Sequence, residues 1–285
     1  MHAMVRSLVG LVILLADATP ALADDDVPAM VTLERGDRHT RVGIDTSYIA
    51  NEYHSPYRSA RRVEVHAQVL HPSGFGVAMS RAYARSWGAF CDDYECWERM
   101  GAGGNTEVSA LYANPRGTYV LRAGLVVGTA RRATYGGDDS ETTTRALAAA
   151  ARIGDAGIVE PTTYIRVVAS RLARRGRWYL RVDGGLDLGF DADVSYHYDT
   201  PDDDQGEIGL RAGLGFGVVL GPIAIASEST AALVDTGGIG TAISVRARHR
   251  PLFMEPYVAV GGAYAASVFG FQARWFVTGG VQFRP

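Results

Sequence analysis

The chain has 285 residues, 47% of them hydrophobic, and a formal net charge of −3, which gives it no electrostatic reason to bind nucleic acid. All 28 basic residues are arginine, a bias that GC-rich coding explains as simply as any function. The 34 glycines and 14 tyrosines are many for a soluble α/β domain and suit strands with a small-residue face and aromatic ends.

Residues 1–23 read as a secretory signal peptide. Arg6 is followed by an apolar run from Leu8 to Leu15 and by Ala21-Leu22-Ala23 just before Asp24, the expected charged, apolar and small-residue regions. The apolar run is too short for a membrane helix, which needs about 20 residues, and no later apolar stretch approaches that length. Any membrane span is therefore made of strands. Nothing between 24 and 285 resembles a linker, so one domain is expected, with 24–40 as an N-terminal tail.

Taken in order, the chain reads as a series of strands that alternate apolar with polar or small residues. The first runs from Arg41 to Tyr53, and the second from Arg62 to Leu70, where Val63, Val65, Ala67 and Val69 oppose Glu64, His66 and Gln68. His71-Pro72-Ser73-Gly74 is a tight turn, and a third strand follows from Phe75 to about Arg85. Arg81 interrupts its apolar face, which means either a bulge that flips the register or a strand already at headgroup level. Residues 86–105 read as a long outside loop, 106–113 as a short strand, and 118–131 as the fifth strand.

The middle of the chain is settled by parity. Thr163 to Leu172 must descend from the same side on which the fifth strand ended, so 132–162 is a long outer loop, and its Ala-rich piece 144–152 reads as a short helix. The clearest pattern spans 177–222. Trp178, Leu180, Val182, Leu186, Leu188 and Phe190 share one parity, with Tyr179, Arg181, Asp183, Gly185 and Asp187 on the other. After a polar loop at 193–206, Ile208, Leu210, Ala212, Leu214, Phe216, Val218 and Leu220 resume it. Strands at 223–233, 239–248, 257–265 and 271–283 complete an expected twelve, with ten or fourteen as alternatives. The tight reversals at Pro72, Pro115, Arg174 to Gly176, Gly221-Pro222 and Pro251 all fall on one side and the longer loops on the other.

A signal peptide, two-faced strands and a last strand reading Phe269, Phe271, Ala273, Trp275, Val277, Gly279, Val281, Phe283 resemble the bacterial outer-membrane β-barrel superfamily over nearly all of 24–285. The resemblance implies a single all-β antiparallel transmembrane barrel in the outer membrane of a Gram-negative bacterium. It also implies a last strand read by the barrel-insertion machinery, although the chain continues past the aromatic with Arg284-Pro285.

On this reading Asp45, Glu64, Arg122, Arg166, Arg181, Asp183, Asp187, Arg211, Arg246 and Arg274 share the inward parity and line the lumen, because an Arg facing lipid at the midplane costs about 2–4 kcal/mol. Two outcomes stay open for them: a charged channel wall, or a lumen filled by paired charges. Cys91 and Cys96, the only cysteines, read as a disulfide in an exported chain, since the pair lacks both zinc-site histidines and redox spacing. The acidic run Asp199, Asp202, Asp203, Asp204 and Glu207 has hard-cation chemistry but not the spacing of a calcium loop, so it reads as a solvated tip.

A barrel hydrolase would need a nucleophile, a histidine and an acid near the outer rim. His71 and Ser73 fall in an inner turn, and His197, beside Ser195 and Asp199, is the only start for such a site. No catalytic, metal or cofactor site is therefore expected. The expected function is a non-enzymatic narrow channel for small polar solutes or a scaffold, in contact with outer-membrane lipid. An outer-membrane hydrolase or a soluble lipocalin-like carrier is the alternative.

Overall fold

The computed structural model describes residues 37–51, 57–91, 96–114, 116–128, 163–190, 208–233, 238–247, 253–267 and 270–284. The expected signal peptide, the Ala-rich helix at 144–152, the acidic run and His197 lie outside the described residues. Twelve strands form the fold: β1 Arg41–Asn51, β2 Tyr57–Leu70, β3 Phe75–Cys91, β4 Cys96–Ala113, β5 Tyr119–Val127, β6 Thr163–Arg175, β7 Trp178–Phe190, β8 Ile208–Leu220, β9 Ile223–Leu233, β10 Gly238–Ala247, β11 Met254–Ser267 and β12 Gly270–Phe283. Each pairs antiparallel with its neighbours in sequence, and β1 pairs with β12 from Val42↔Phe283 to Asn51↔Arg274, which closes the barrel. Closure leaves no open sheet edge, the condition a strand structure must meet to cross lipid.

Alternation decides which way each residue points. Val42, Ile44 and Tyr48 on β1, Val77 and Met79 on β3, Leu214 and Phe216 on β8, and Ile239 and Ile243 on β10 are exposed, while their sequence neighbours are buried or half-buried. A surface of exposed Val, Ile, Leu and Phe around the whole barrel suits hydrocarbon and not water. Aromatic residues gather toward its ends. Phe75 packs on Tyr112 with ring centroids 4.9 Å apart and Trp178 stacks on Phe216 at 5.2 Å near the tight turns, and Tyr48 meets Trp275 at 5.7 Å toward the other rim.

The reversals at the end that holds both β1's start and β12's finish are short. Two residues, Gly176-Arg177 and Gly221-Pro222, join β6 to β7 and β8 to β9. Gly176 and Gly221 sit at φ 60° and 63°, so each reversal needs glycine at its first central position, as hairpin turns of the II′ kind do.

The largest departure from the sequence reading is in the third and fourth strands. Residues 86–105 are not an outside loop: β3 continues to Cys91 and β4 begins at Cys96, extending the hairpin. Apolar alternation stops there because lipid no longer selects it, yet backbone pairing continues, with register irregularities between Arg81 and Tyr83 and between Trp87 and Phe90. Cys91 and Cys96 are direct cross-strand partners in that ladder; their side chains lie outside the described residues. The second and eleventh strands also start earlier than expected, at Tyr57 and Met254.

Candidate functional site

The interior of the barrel is filled by side chains from the buried parity. Among the described residues, seven arginines (Arg41, Arg62, Arg122, Arg166, Arg181, Arg246, Arg274) and seven carboxylates (Asp45, Glu64, Glu107, Asp183, Asp187, Glu228, Glu255) are buried. Arg166 is 1% exposed and Glu228 0%, so water reaches almost nothing of them. Such ions persist away from water only when paired and hydrogen-bonded.

The longest network crosses five consecutive strands. Arg122 on β5 donates to Glu107 on β4 and, at 3.0 Å, to Ser109 Oγ. Arg166 Nη1 on β6 meets the other oxygen of Glu107 at 3.2 Å. Arg166 then binds Asp187 on β7 through two parallel contacts, Nε to Oδ1 at 2.9 Å and Nη2 to Oδ2 at 3.1 Å. Arg211 Nη2 of β8 lies 3.3 Å from Asp187 Oδ2 as an ion pair. Three guanidiniums thus share two carboxylates. The fork geometry of Arg166 on Asp187 is the strongest single link, because two aligned charge-assisted bonds fix distance and plane together.

Smaller groups fill the rest. Arg181 reaches Asp183 at 2.8 Å and Ser170 at 3.1 Å; Arg62 meets Glu64 at 2.6 Å; His66 Nδ1 lies 3.7 Å from Asp45. Ser244 donates to Glu228, and Ser47 bonds Thr278 at 2.8 Å. Arg246 lies 3.5 Å from Glu255 and 4.5 Å over the Tyr257 ring, a cation–π arrangement. Inward glycines make the room. A Cβ on Gly217 would strike Tyr179, one on Gly280 would strike Tyr257 and Asp45, one on Gly43 would strike His66, and one on Gly185 would strike Arg211.

At the turn end a short segment before β1 docks on the barrel mouth. Asp37 Oδ2 accepts from Arg41 at 3.1 Å and faces Arg284 at 4.0 Å. Gln68 donates to the Asp37 and His39 carbonyls at 2.7 and 2.8 Å. Arg284 continues to Glu255 at 3.0 Å, which also accepts from Gln282 at 2.9 Å. Burial pushes the Asp37 carboxyl up, but Arg41, Arg284 and His39 together outweigh it and hold it at about 2.

A carboxyl held below its unfolded value stabilises the docked segment fully above about pH 4, and that contribution is lost as pH falls toward 2. Asp37→Asn is therefore expected to lower the unfolding midpoint above pH 4, with the gap to wild type closing as pH approaches 2. A gap that stays constant down to pH 2 contradicts the assignment.

All ten charges expected inside are placed on the buried parity, Arg211 being the least buried of them at 10%. The network joins Arg122, Arg166, Asp187 and Arg211, while Asp45 and Glu64 lie apart on β1 and β2. Sequence reasoning missed Arg41, Arg62, Glu107, Glu228 and Glu255. Each lies on the inward parity of its strand, so alternation alone would have found all but Glu255, which precedes the expected eleventh strand. His71 Nδ1 lies 2.9 Å from Ser73 Oγ in the exposed turn between β2 and β3, where Ser73 N–H also donates to the same nitrogen; this is local turn chemistry. Among the described residues no group of three or more His, Cys, Asp or Glu is placed to hold a metal.

No family model and no curated protein matches the chain. Among solved structures, an outer membrane channel from Pseudomonas putida F1 is similar with a TM-score of 0.54 and 11% identity, over 91% of this chain and 98% of its own. NanC porin is similar with a TM-score of 0.51 and 10% identity, over 86% of this chain and 100% of its own. At such identities the likeness is one of fold. The fold, with its apolar exterior and closed twelve-strand ladder, is that of an outer-membrane β-barrel.

Proposed function

We propose that the protein is a non-enzymatic outer-membrane channel of a Gram-negative bacterium, narrow enough to pass only small polar solutes, with its path occluded by the interior ion network in the conformation seen here. The ten charges expected from the sequence line that path. The observation that carries the reading is the five-strand chain from Arg122 to Arg211, a continuous charged wall along the interior of the barrel. Equal numbers of buried arginines and carboxylates favour weak discrimination by sign. That the solved structures with this fold include an outer membrane channel and a porin supports the same reading.

Export by the signal peptide at 1–23, insertion by the machinery that reads the last strand, and a Cys91–Cys96 disulfide bracing the β3–β4 hairpin belong to the same proposal. The near-zero exposure of Arg166 and Glu228 favours a second reading, a filled scaffold. Current across planar bilayers holding refolded protein separates the two: small, brief steps are expected for the channel, and silence under every salt condition would leave the scaffold. Hydrolysis of phospholipid or peptide by the same preparation would overturn the non-enzymatic assignment.

A further inference from the structure

The four residues before β1 lie within the turn-end mouth and not along its rim. Thr40 ends the climb from β1 at the last residue of β2, where its Oγ1 accepts from the Leu70 N–H at 3.0 Å. Beyond it the chain turns over inward side chains. Gln68, buried on the inward parity of β2, holds the Asp37 and His39 carbonyls, so backbone groups above the mouth have partners. Asp37 meets Arg41 of β1 and Arg284 beyond β12. Phe283 is exposed, so Arg284 takes the inward parity, and it carries the contact on to Glu255 of β11.

Arg38 extends the segment in the other direction. Its Cδ lies so near Gly117, in the turn between β4 and β5, that a Cβ on that glycine would come within 2.6 Å of it. β2 and β3 stand between β1 and β4, which at about 4.8 Å per strand puts Gly117 about 14 Å around the wall from β1. With Arg284 as a bridge, the contacts of residues 37–40 therefore reach from β11 to the β4–β5 turn, half of the closed rim. The ties are few: one carboxylate between two guanidiniums, one amide on two carbonyls, and one arginine stem on a glycine. A segment held by so few contacts opens locally at far smaller cost than the strands beside it.

We propose that residues 37–40 form a strap that narrows the turn-end mouth, a second constriction in series with the ion network, latched by Asp37 between Arg41 and Arg284. The gating role rests on the channel reading of the barrel; the latch itself does not.

The test has two arms on refolded full-length protein. In detergent, trypsin is added and release of the peptide that ends at Arg38 is followed by mass spectrometry, since a docked strap withholds the Arg38–His39 bond. Slow release is expected from wild type, and release about tenfold faster from Asp37→Asn and from Arg284→Gln, each having lost charge-assisted contacts that keep the strap closed. Arg175→Gln, exposed in the β6–β7 turn across the mouth, is expected to behave as wild type. In planar bilayers, Asp37→Asn is added to the Arg166→Ala/Asp187→Ala protein. Steps about twofold larger are expected, because two comparable constrictions in series each carry half of the resistance. Should Asp37→Asn not fold, Arg284→Gln carries both comparisons. Rapid release of the peptide from wild type, equal release from wild type and both variants, or steps unchanged by Asp37→Asn overturns the proposal. Silence from every protein in the bilayer contradicts the channel reading and removes the gating role with it, while the cleavage arm still decides whether the strap is latched.

Discussion

Replacing Asp187 with leucine is expected to destabilise the folded barrel by about 3–5 kcal/mol, the cost of leaving buried charge uncompensated. Asp187 accepts both hydrogen bonds of the Arg166 fork and forms an ion pair with Arg211. Its removal leaves Arg122, Arg166 and Arg211 with Glu107 as the one carboxylate of that chain. The measurement is the urea midpoint of reversible folding into lipid vesicles. Arg166→Met in the Asp187→Leu background is expected to recover part of the loss, because it removes a cation that has lost its main partner. Residues in one network couple by about 0.5–3 kcal/mol in such cycles. Strict additivity of the two substitutions would show that the two side chains do not interact in the folded protein.

The second large effect belongs to the exterior. Leu214 is 52% exposed and lies near the middle of β8, between inward Gly213 and Gly215. Leu214→Arg is expected to cost about 2–4 kcal/mol, the penalty for an arginine at the bilayer midplane on a barrel's lipid face, read from the same folding midpoint. Arg61, by contrast, is tolerated outside because it stands at the rim. If Leu214→Arg left the midpoint unchanged, that face would be in contact with water, and the protein would be a soluble barrel.

The two substitutions draw on the part of the architecture that the sequence exposes most directly. Alternation marks every strand within the apolar band, because lipid selects one face and the interior the other. A run such as Trp178, Leu180, Val182 against Tyr179, Arg181, Asp183 therefore carries its own orientation. The turn glycines are equally plain, since Gly221 before Pro222 has few other uses. Where lipid ends, so does the signal: Ser86 to Asn105 keeps its backbone pairing with no apolar period to report it.

The pairing of the interior charges was hidden for a different reason. Parity says that Arg166 and Asp187 point inward, but only the register Arg166↔Asp187 sets them side by side. Whether the interior is open depends on how Tyr179 folds over Gly217 and Arg211 over Gly185, which is packing and not pattern. Glu107 and Glu228 were within reach of the same parity rule and complete the charge balance.

The central claim is that the ion network spanning β4 to β8 closes the path through the barrel. Single-channel current through planar bilayers, compared between wild type and Arg166→Ala/Asp187→Ala, tests it most directly. The expected result is small, infrequent steps for wild type and larger, longer-lived steps for the folded double variant, whose two truncations open the constriction. Large steady conductance from wild type, or identical currents from the two proteins, would contradict it.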